Sequence, residues 1–224
     1  NAVNEGGVVL TGGLGNRVSG NFIGATGPGQ GAGGNNGAGI VIRDSAQNAI
    51  GGDFSVFGNV IANNASHGIH VAGAGSSGND VKSNLIGTDR GAVANLNNIG
   101  NGVLLDGGAS GNLIGGKAAI IFNGGLLAIS AGNTITFNLM NGVEVSGGGT
   151  TGNSILDNSI TANTLAGIAH SAGGNDNIPP PIQATFDGDV ITGMVPSLND
   201  IPVGSTIQIF SDTDVAAPEG AAIL

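Results

Sequence analysis

The hydrophobic positions of this chain fall into a short unit that returns six times: Gly7-Val8-Val9-Leu10, Gly39-Ile40-Val41-Ile42, Gly68-Ile69-His70-Val71, Gly102-Val103-Leu104-Leu105, Gly142-Val143-Glu144-Val145 and Gly167-Ile168-Ala169-His170. A short strand recurring every 25 to 40 residues predicts a chain wound into a solenoid. A second unit, Asn-x-Ile/Val, runs alongside as Asn16-Arg17-Val18, Asn48-Ala49-Ile50, Asn59-Val60-Ile61, Asn79-Asp80-Val81, Asn112-Leu113-Ile114, Asn133-Thr134-Ile135 and Asn153-Ser154-Ile155. Together they predict two short strands per coil, joined at Asn and Gly corners.

Within each Gly-led unit the side chains alternate between faces. Ile40 and Ile42, Ile69 and Val71, Val103 and Leu105, and Val143 and Val145 are uniformly aliphatic and are assigned to the interior. Val41, His70, Leu104 and Glu144 form a mixed set and are assigned to the outside. Helices are nearly excluded, because Gly and Asn interrupt every window and the apolar period is 2 rather than 3.6.

Coils stacked at the strand spacing of about 4.8 Å bring equivalent residues into columns, so six coils make a rod of roughly 25 to 30 Å. Asn recurring at a corner can then stack as a hydrogen-bonded ladder that satisfies turn backbone, beside Gly residues that accept positive φ. A longer period supports the winding: Asn21-Phe22-Ile23-Gly24 returns as Asn84-Leu85-Ile86-Gly87, and Ala49-Ile50-Gly51-Gly52 as Leu113-Ile114-Gly115-Gly116, offset by 63 to 64 residues. Past Ala118 to Ile129 the offset becomes 74, as His67-Gly68-Ile69 matches Asn141-Gly142-Val143. A duplicated two-coil cassette with a loop of about ten residues inserted in one copy explains both numbers.

The repeats Asn84-Leu85-Ile86-Gly87-Thr88-Asp89 and Gly108-Ala109-Ser110-Gly111-Asn112-Leu113-Ile114-Gly115-Gly116 resemble those of the right-handed parallel β-helix proteins of the pectate-lyase-like superfamily, in particular a branch in large secreted bacterial surface proteins. The resemblance covers roughly residues 5 to 173 and implies an all-β fold, with handedness coming from the resemblance alone. Lyases, hydrolases, epimerases, adhesins and stalks all use such repeats, so it implies no single activity.

The expected organisation is a parallel β-helix of about six coils over residues 1–174, a Pro-rich linker over 175–181 and a β segment over 182–224. Three consecutive prolines, Pro179 to Pro181, cannot join a central strand. Beyond them Ile182 to Phe186 and Val190 to Val195 alternate around Asp187-Gly188-Asp189, a hairpin signal, and Ser205 to Phe210 alternates again. This stretch resembles the opening of an immunoglobulin-like module, yet it is too short for about seven strands. Its open edge, and the lack of a capping helix around Asn1 to Gly6, predict an excised piece of something longer, or self-association through open ends or strand complementation into filaments.

Composition then narrows function. Charged residues are only 9% and Gly numbers 45, which fits thin stacked layers rather than a disordered tail. No apolar run reaches the roughly 18 residues a membrane helix needs, and the opening lacks a signal peptide's basic start. A formal charge of -10 repels nucleic acid. There is no Cys for nucleophilic catalysis, and no Trp or Tyr to stack sugar rings. The Gly-rich stretch Gly27 to Gly37 lacks the Lys-Ser/Thr of a phosphate loop.

Lyases on the resembling fold imply a basic residue and calcium-holding acids, and hydrolases imply paired aspartates. The bases here are Lys82, Lys117, Arg17, Arg43 and Arg90. Register puts Arg43 in a column with Thr11, Ala72, Asp106 and Ser146, where Arg43 and Asp106 are separated by Ala72 and Arg43 reads as a solvated surface charge. His67 and His70 point to opposite faces of an extended strand and converge on a metal only if the chain turns between them. His70 and Glu144 are separated by Leu104, which weakens an acid/base pairing, and His170 takes an interior position suited to a boundary. Weak calcium candidates are Asp187 and Asp189, and Asp212 and Asp214, although turns use the same residues without an ion. Thr88-Asp89-Arg90-Gly91 reads as a plain turn.

The expectation is a secreted or cell-surface structural module, a rigid stalk, adhesin or filament building block, with no catalytic residue or cofactor apart from the calcium candidates. The alternative is a carbohydrate-active β-helix, a polysaccharide lyase or glycoside hydrolase; the partner expected besides a second copy is a polysaccharide or a cell-surface ligand. An ice-binding face is the weakest reading, because Thr-x-Thr occurs once, at Thr134-Ile135-Thr136.

Overall fold

The computed structural model describes residues 5–26, 33–122, 125–177, 182–187 and 190–194, with backbone alone at Phe122, Asn177 and the last two segments. The strands come in threes. The first set is β1 (Gly6–Thr11), β2 (Arg17–Val18) and β3 (Phe22–Ile23); the second is β4 (Ala38–Arg43), β5 (Ala49–Gly51) and β6 (Val60–Ile61). Then follow β7 (Ile69–Ala72), β8 (Asp80–Lys82) and β9 (Leu85–Ile86), and after them β10 (Val103–Asp106) and β11 (Leu113–Gly115). An antiparallel hairpin, β12 (Lys117–Phe122) and β13 (Gly125–Ser130), precedes β14 (Thr134–Thr136). The series closes with β15 (Val143–Ser146), β16 (Ser154–Leu156), β17 (Ser159–Thr161) and β18 (Ile168–Ser171), and a separate antiparallel pair is formed by β19 (Ile182–Asp187) and β20 (Val190–Met194).

The six Gly-led units are the six strands of one parallel sheet, ordered β1-β4-β7-β10-β15-β18. Two further parallel sheets of five strands each, β2-β5-β8-β11-β16 and β3-β6-β9-β14-β17, complete an all-β stack of the β-solenoid kind. Three strands per turn of chain replace the two expected from the sequence. The third sheet escaped the pattern because β3, β6 and β9 are two residues long, too short to display alternation.

Alternation places the core. Val8, Ile40, Ile69, Val103, Val143 and Ile168 form one inward column, and Leu10, Ile42, Val71, Leu105, Val145 and His170 the next. Val18, Ile50, Val81, Ile114 and Ile155 supply the second sheet's column, and Ile23, Ile61, Ile86, Ile135 and Ile160 the third's. Apart from His170 at the end of its column, the members of all four columns meet in one aliphatic cluster, so the inner side chains are packed by the same chemistry above, below and across. His70, Leu104 and Glu144 stay on the outer face as read, half-buried, whereas Val41 departs from expectation. It is only 2% exposed, because the backbone of β1 at Gly6 lies against it.

The corners are built from three Asn ladders. Asn16, Asn48, Asn79, Asn112, Asn153 and Asn175 form the first, each accepting the backbone N–H of the preceding member through its side-chain oxygen. Asn21, Asn59, Asn84, Asn133 and Asn158 form the second. Asn35, Asn64, Asn98, Asn138 and Asn163 form the third. The single corner series read from sequence thus merged two: Asn59 and Asn133 lead into the third sheet, and their companions into the second. Buried corner amides that would otherwise lack partners are paired along the whole stack.

The Gly that opens each of the first five units is there for clearance, not for dihedral freedom. A Cβ on Gly68 would lie 2.6 Å from the Gly102 carbonyl oxygen and 2.6 Å from Ile86 Cγ2, and Gly39 and Gly142 each meet the equivalent obstacles, the carbonyl of the next unit's Gly and an Ile Cγ2 of the third sheet. Elsewhere a Gly does serve positive φ, as at Gly115 (φ 90°). The tight corner between the second and third sheets is instead turned by Ser83 (φ 57°) and Asp157 (φ 56°).

The inserted loop read from the jump in offset is the β12–β13 hairpin. The Asp-Gly hairpin signal likewise falls between β19 and β20, whose strands pair antiparallel. Ser205 to Phe210 lies outside the described residues. No helix among the described residues is long and apolar enough to cross a membrane.

Candidate functional site

Outward residues of the six-stranded sheet gather into one polar cluster. His70 Nε2 lies 3.0 Å from Asp106 Oδ1, although His70 is aligned with Leu104. The two meet diagonally: Asp106 is two residues beyond Leu104 on the same face, and diagonal neighbours on adjacent strands are within reach of long side chains. Reading straight columns set His70 against Glu144 and Asp106 against Arg43, and so missed this pair.

His67 joins the cluster from the corner before the strand. The chain bends at Gly68, so the condition for convergence is met and the His67 and His70 rings sit 5.5 Å apart. His67 takes the place that Asn101 and Asn141 take in the next layers. Asn101 N–H donates to His67 Nδ1 at 3.0 Å, Asn141 N–H to Asn101 Oδ1 at 2.9 Å and Ala166 N–H to Asn141 Oδ1 at 3.1 Å. A ring nitrogen that accepts a backbone N–H carries no proton, so His67 is the neutral Nε2–H tautomer.

Burial, and secondarily the neighbouring His70, lower the His67 pKa from its ordinary value, against the opposing pull of Asp106 and Glu144. Glu144 is itself saturated with donors. Its Oε2 accepts from Asn101 Nδ2 (2.8 Å) and Asn141 Nδ2 (3.2 Å), and its Oε1 from Ser171 Oγ (2.7 Å). The cluster is therefore a patch of mutually bonded donors and acceptors, with the imidazole pair beside two carboxylates.

The lowered pKa has a testable consequence. The unfolded chain takes up the His67 proton before the folded one, so the stability it contributes is complete above pH 6.5 and is lost as pH falls through 6.5 toward the folded value. His67→Asn keeps an acceptor for Asn101 N–H without a titrating ring. Urea unfolding between pH 7.5 and 5 is expected to show a shallower loss for the variant, the difference staying below about 1.4 kcal/mol per pH unit. Equal slopes would refute the assignment.

Arg43, Lys82, Arg17 and Arg90 are engaged in packing and pairing, whereas Lys117 is exposed at the start of β12. Arg43 sits in the expected column with Thr11 and Ala72 and pairs with Glu5 at 3.1 Å, both partners half-exposed. Lys82 is held between Asp80 (3.1 Å) and Asp53 (3.3 Å). Desolvation lowers its pKa, but the hydrogen bonds and charges of the two aspartates outweigh that and hold it above the ordinary amine value. Arg17 lies over the Phe57 ring and Arg90 over the Phe22 ring. Asp89 is a turn residue, as read: its Oδ1 accepts from Ala94 and Val93 N–H, which lowers its pKa. His170 occupies the interior position opposite Val145, half-buried in the last strand.

Of the calcium candidates, Asp187 ends β19, while Asp189, Asp212 and Asp214 lie outside the described residues. Among the described residues no group of three or more His, Asp or Glu is placed to hold a metal ion. The architecture defines a class, an all-β protein of stacked parallel sheets with an outward polar cluster. No family model, curated protein or solved structure matches the chain.

Proposed function

We propose that the chain is a structural module of the secreted or cell-surface kind, a rigid stalk, adhesin or filament building block. Its fold would be a right-handed parallel β-helix of about six coils, akin to the pectate-lyase-like superfamily, followed by part of an immunoglobulin-like module. The observation that carries this reading is the run of three Asn ladders along the stack: sequence is committed to axial continuity at every corner. Repeats held only by their neighbours make stiff, extendable rods. Negative-stain images of purified protein are expected to show rods or fibres, and particles that stay monomeric and featureless at all concentrations would count against assembly.

One observation favours a carbohydrate-active reading as well, namely the His70–Asp106 contact beside Glu144. If that cluster cleaves polysaccharide, wild-type protein incubated with acidic and neutral polysaccharides, with and without calcium, releases reducing ends or unsaturated products, and Asp106→Asn lowers the rate by about a hundredfold or more. Absence of products with every substrate retires this second reading and leaves the first.

A further inference from the structure

Two insertions at the same corner of the fold enclose an open groove of about 650 Å³. In β8–β9 the turn from the second to the third sheet takes only Ser83 and Asn84, since β8 ends at Lys82 and β9 begins at Leu85. In the layer before, the turn swells into residues 52–59 with a 3-10 turn at Ser55–Phe57. In the layer after, it grows into the β12–β13 hairpin. The groove therefore has the 52–59 loop as one wall, Ile129 and Ser130 at the base of β13 as the other, and Val60, Leu85 and Thr134 of the third sheet as its floor.

The walls belong to layers two strand spacings apart, about 9.6 Å, and the middle layer between them contributes Ser83, Asn84, Leu85 and Arg90 to the lining. That gap is one strand thick: a single extended chain would lie about 4.8 Å from each wall. One wall is also prepared for it. β13 is bonded to β12 along one edge, and among the described residues no backbone hydrogen bond reaches its other edge. The strand Gly125-Leu126-Leu127-Ala128-Ile129-Ser130 carries no charge, no Pro and no bulge, the devices that normally protect an edge from pairing. Two strands alone are marginal, and a third would stabilise the hairpin.

Charge gives the occupant a polarity. Arg90 lines the groove and makes no ion pair among the described residues, whereas the groove's Asp53 is already paired with Lys82. In a chain of net charge -10 this leaves one unneutralised cation facing the site.

We propose that the groove binds an extended polypeptide segment, which adds as a third strand to the free edge of β13 and sets an acidic side chain against Arg90. A polysaccharide is the poorer fit, because it cannot meet a row of alternating main-chain donors and acceptors. The groove's exposed aromatic, Phe54, is already packed edge-on against Phe57.

The test uses labelled hexapeptides of alternating Thr and Val, with a single Glu moved from the first to the last position, titrated into the whole chain by fluorescence anisotropy. One Glu position is expected to bind saturably. N-methylating alternate amides should cost about tenfold or more in one phase and nothing in the other, because a strand presents only every second amide to its neighbour. Arg90 is exposed, so Arg90→Ala leaves the fold intact; it should weaken the Glu peptide about fivefold without affecting its Gln counterpart. No saturable binding, binding indifferent to the N-methyl phase, or saturable uptake of a galacturonan or cello-hexasaccharide in place of the peptides would overturn the proposal.

Discussion

Asn84→Ala lowers the unfolding free energy by about 3–5 kcal/mol and the melting temperature by about 10 °C, while Asn16→Ala at the exposed start of its ladder changes stability by less than about 1 kcal/mol. Asn84 is fully buried in the middle of the second ladder. Its Oδ1 accepts from Asn59 N–H (3.0 Å) and Asn59 Nδ2 (2.8 Å), and its Nδ2 donates to Ile50 O (2.9 Å), Lys82 O (3.0 Å) and Asn133 Oδ1 (2.9 Å). Truncation leaves the Asn59 backbone donor without a partner, and an orphaned buried group costs more than the bond it made. Asn84→Asp separates this account from simple loss of volume. The carboxylate keeps the acceptor toward Asn59 but turns its other oxygen toward three acceptors, so at neutral pH it is worse than Ala. Its folded pKa is thereby raised above the unfolded one, so the variant regains stability as pH falls toward 4. Chemical unfolding at pH 7 and pH 4 reads both effects, and an Asp variant as stable as wild type at pH 7 would contradict the ladder's chemistry.

The second large effect is expected at the Gly that opens each unit. Gly102→Ala costs about 3 kcal/mol, because its Cβ would lie 2.6 Å from the Gly142 carbonyl oxygen and nearer still to Ile135 Cγ2, both inside the stack. Gly148→Ala, where nothing lies within 4 Å and φ is not positive, stays within about 0.5 kcal/mol of wild type and leans toward stabilisation by restricting the unfolded chain. Thermal unfolding of the two variants under one buffer distinguishes them. Equal effects would mean that the repeated Gly marks turn preference rather than a layer spacing.

These two sites also mark the limits of what one-dimensional patterning conveys. The Gly-led strands were readable because four to six residues suffice to display a period of 2, and their inward set became the buried columns. The offset change from 64 to 74 residues announced the β12–β13 hairpin. By contrast Phe22–Ile23 and Val60–Ile61 are strands of two residues, in which no period exists, so the third sheet and its ladder were hidden among apparent corners. The cluster was hidden for a different reason. His70 and Asp106 meet across a diagonal, and His67 enters from a bend, so neither follows from straight columns. A signal was present all the same: His67, Asn101 and Asn141 each precede the Gly of a repeat unit, which places an imidazole in an Asn column.

Distances between spin labels along the outer column test the stacking most directly. Thr11 aligns with Arg43, Ala72 and Asp106, and Ser146 with Ser171. Cysteine labels can be placed uniquely because the chain has none of its own. Stacked layers predict a backbone separation of about 19 Å for Thr11 with Ser146 and about 24 Å for Thr11 with Ser171, one strand spacing more. Pair distances that are broad, or that fail to grow by that single step, would contradict a chain wound in register.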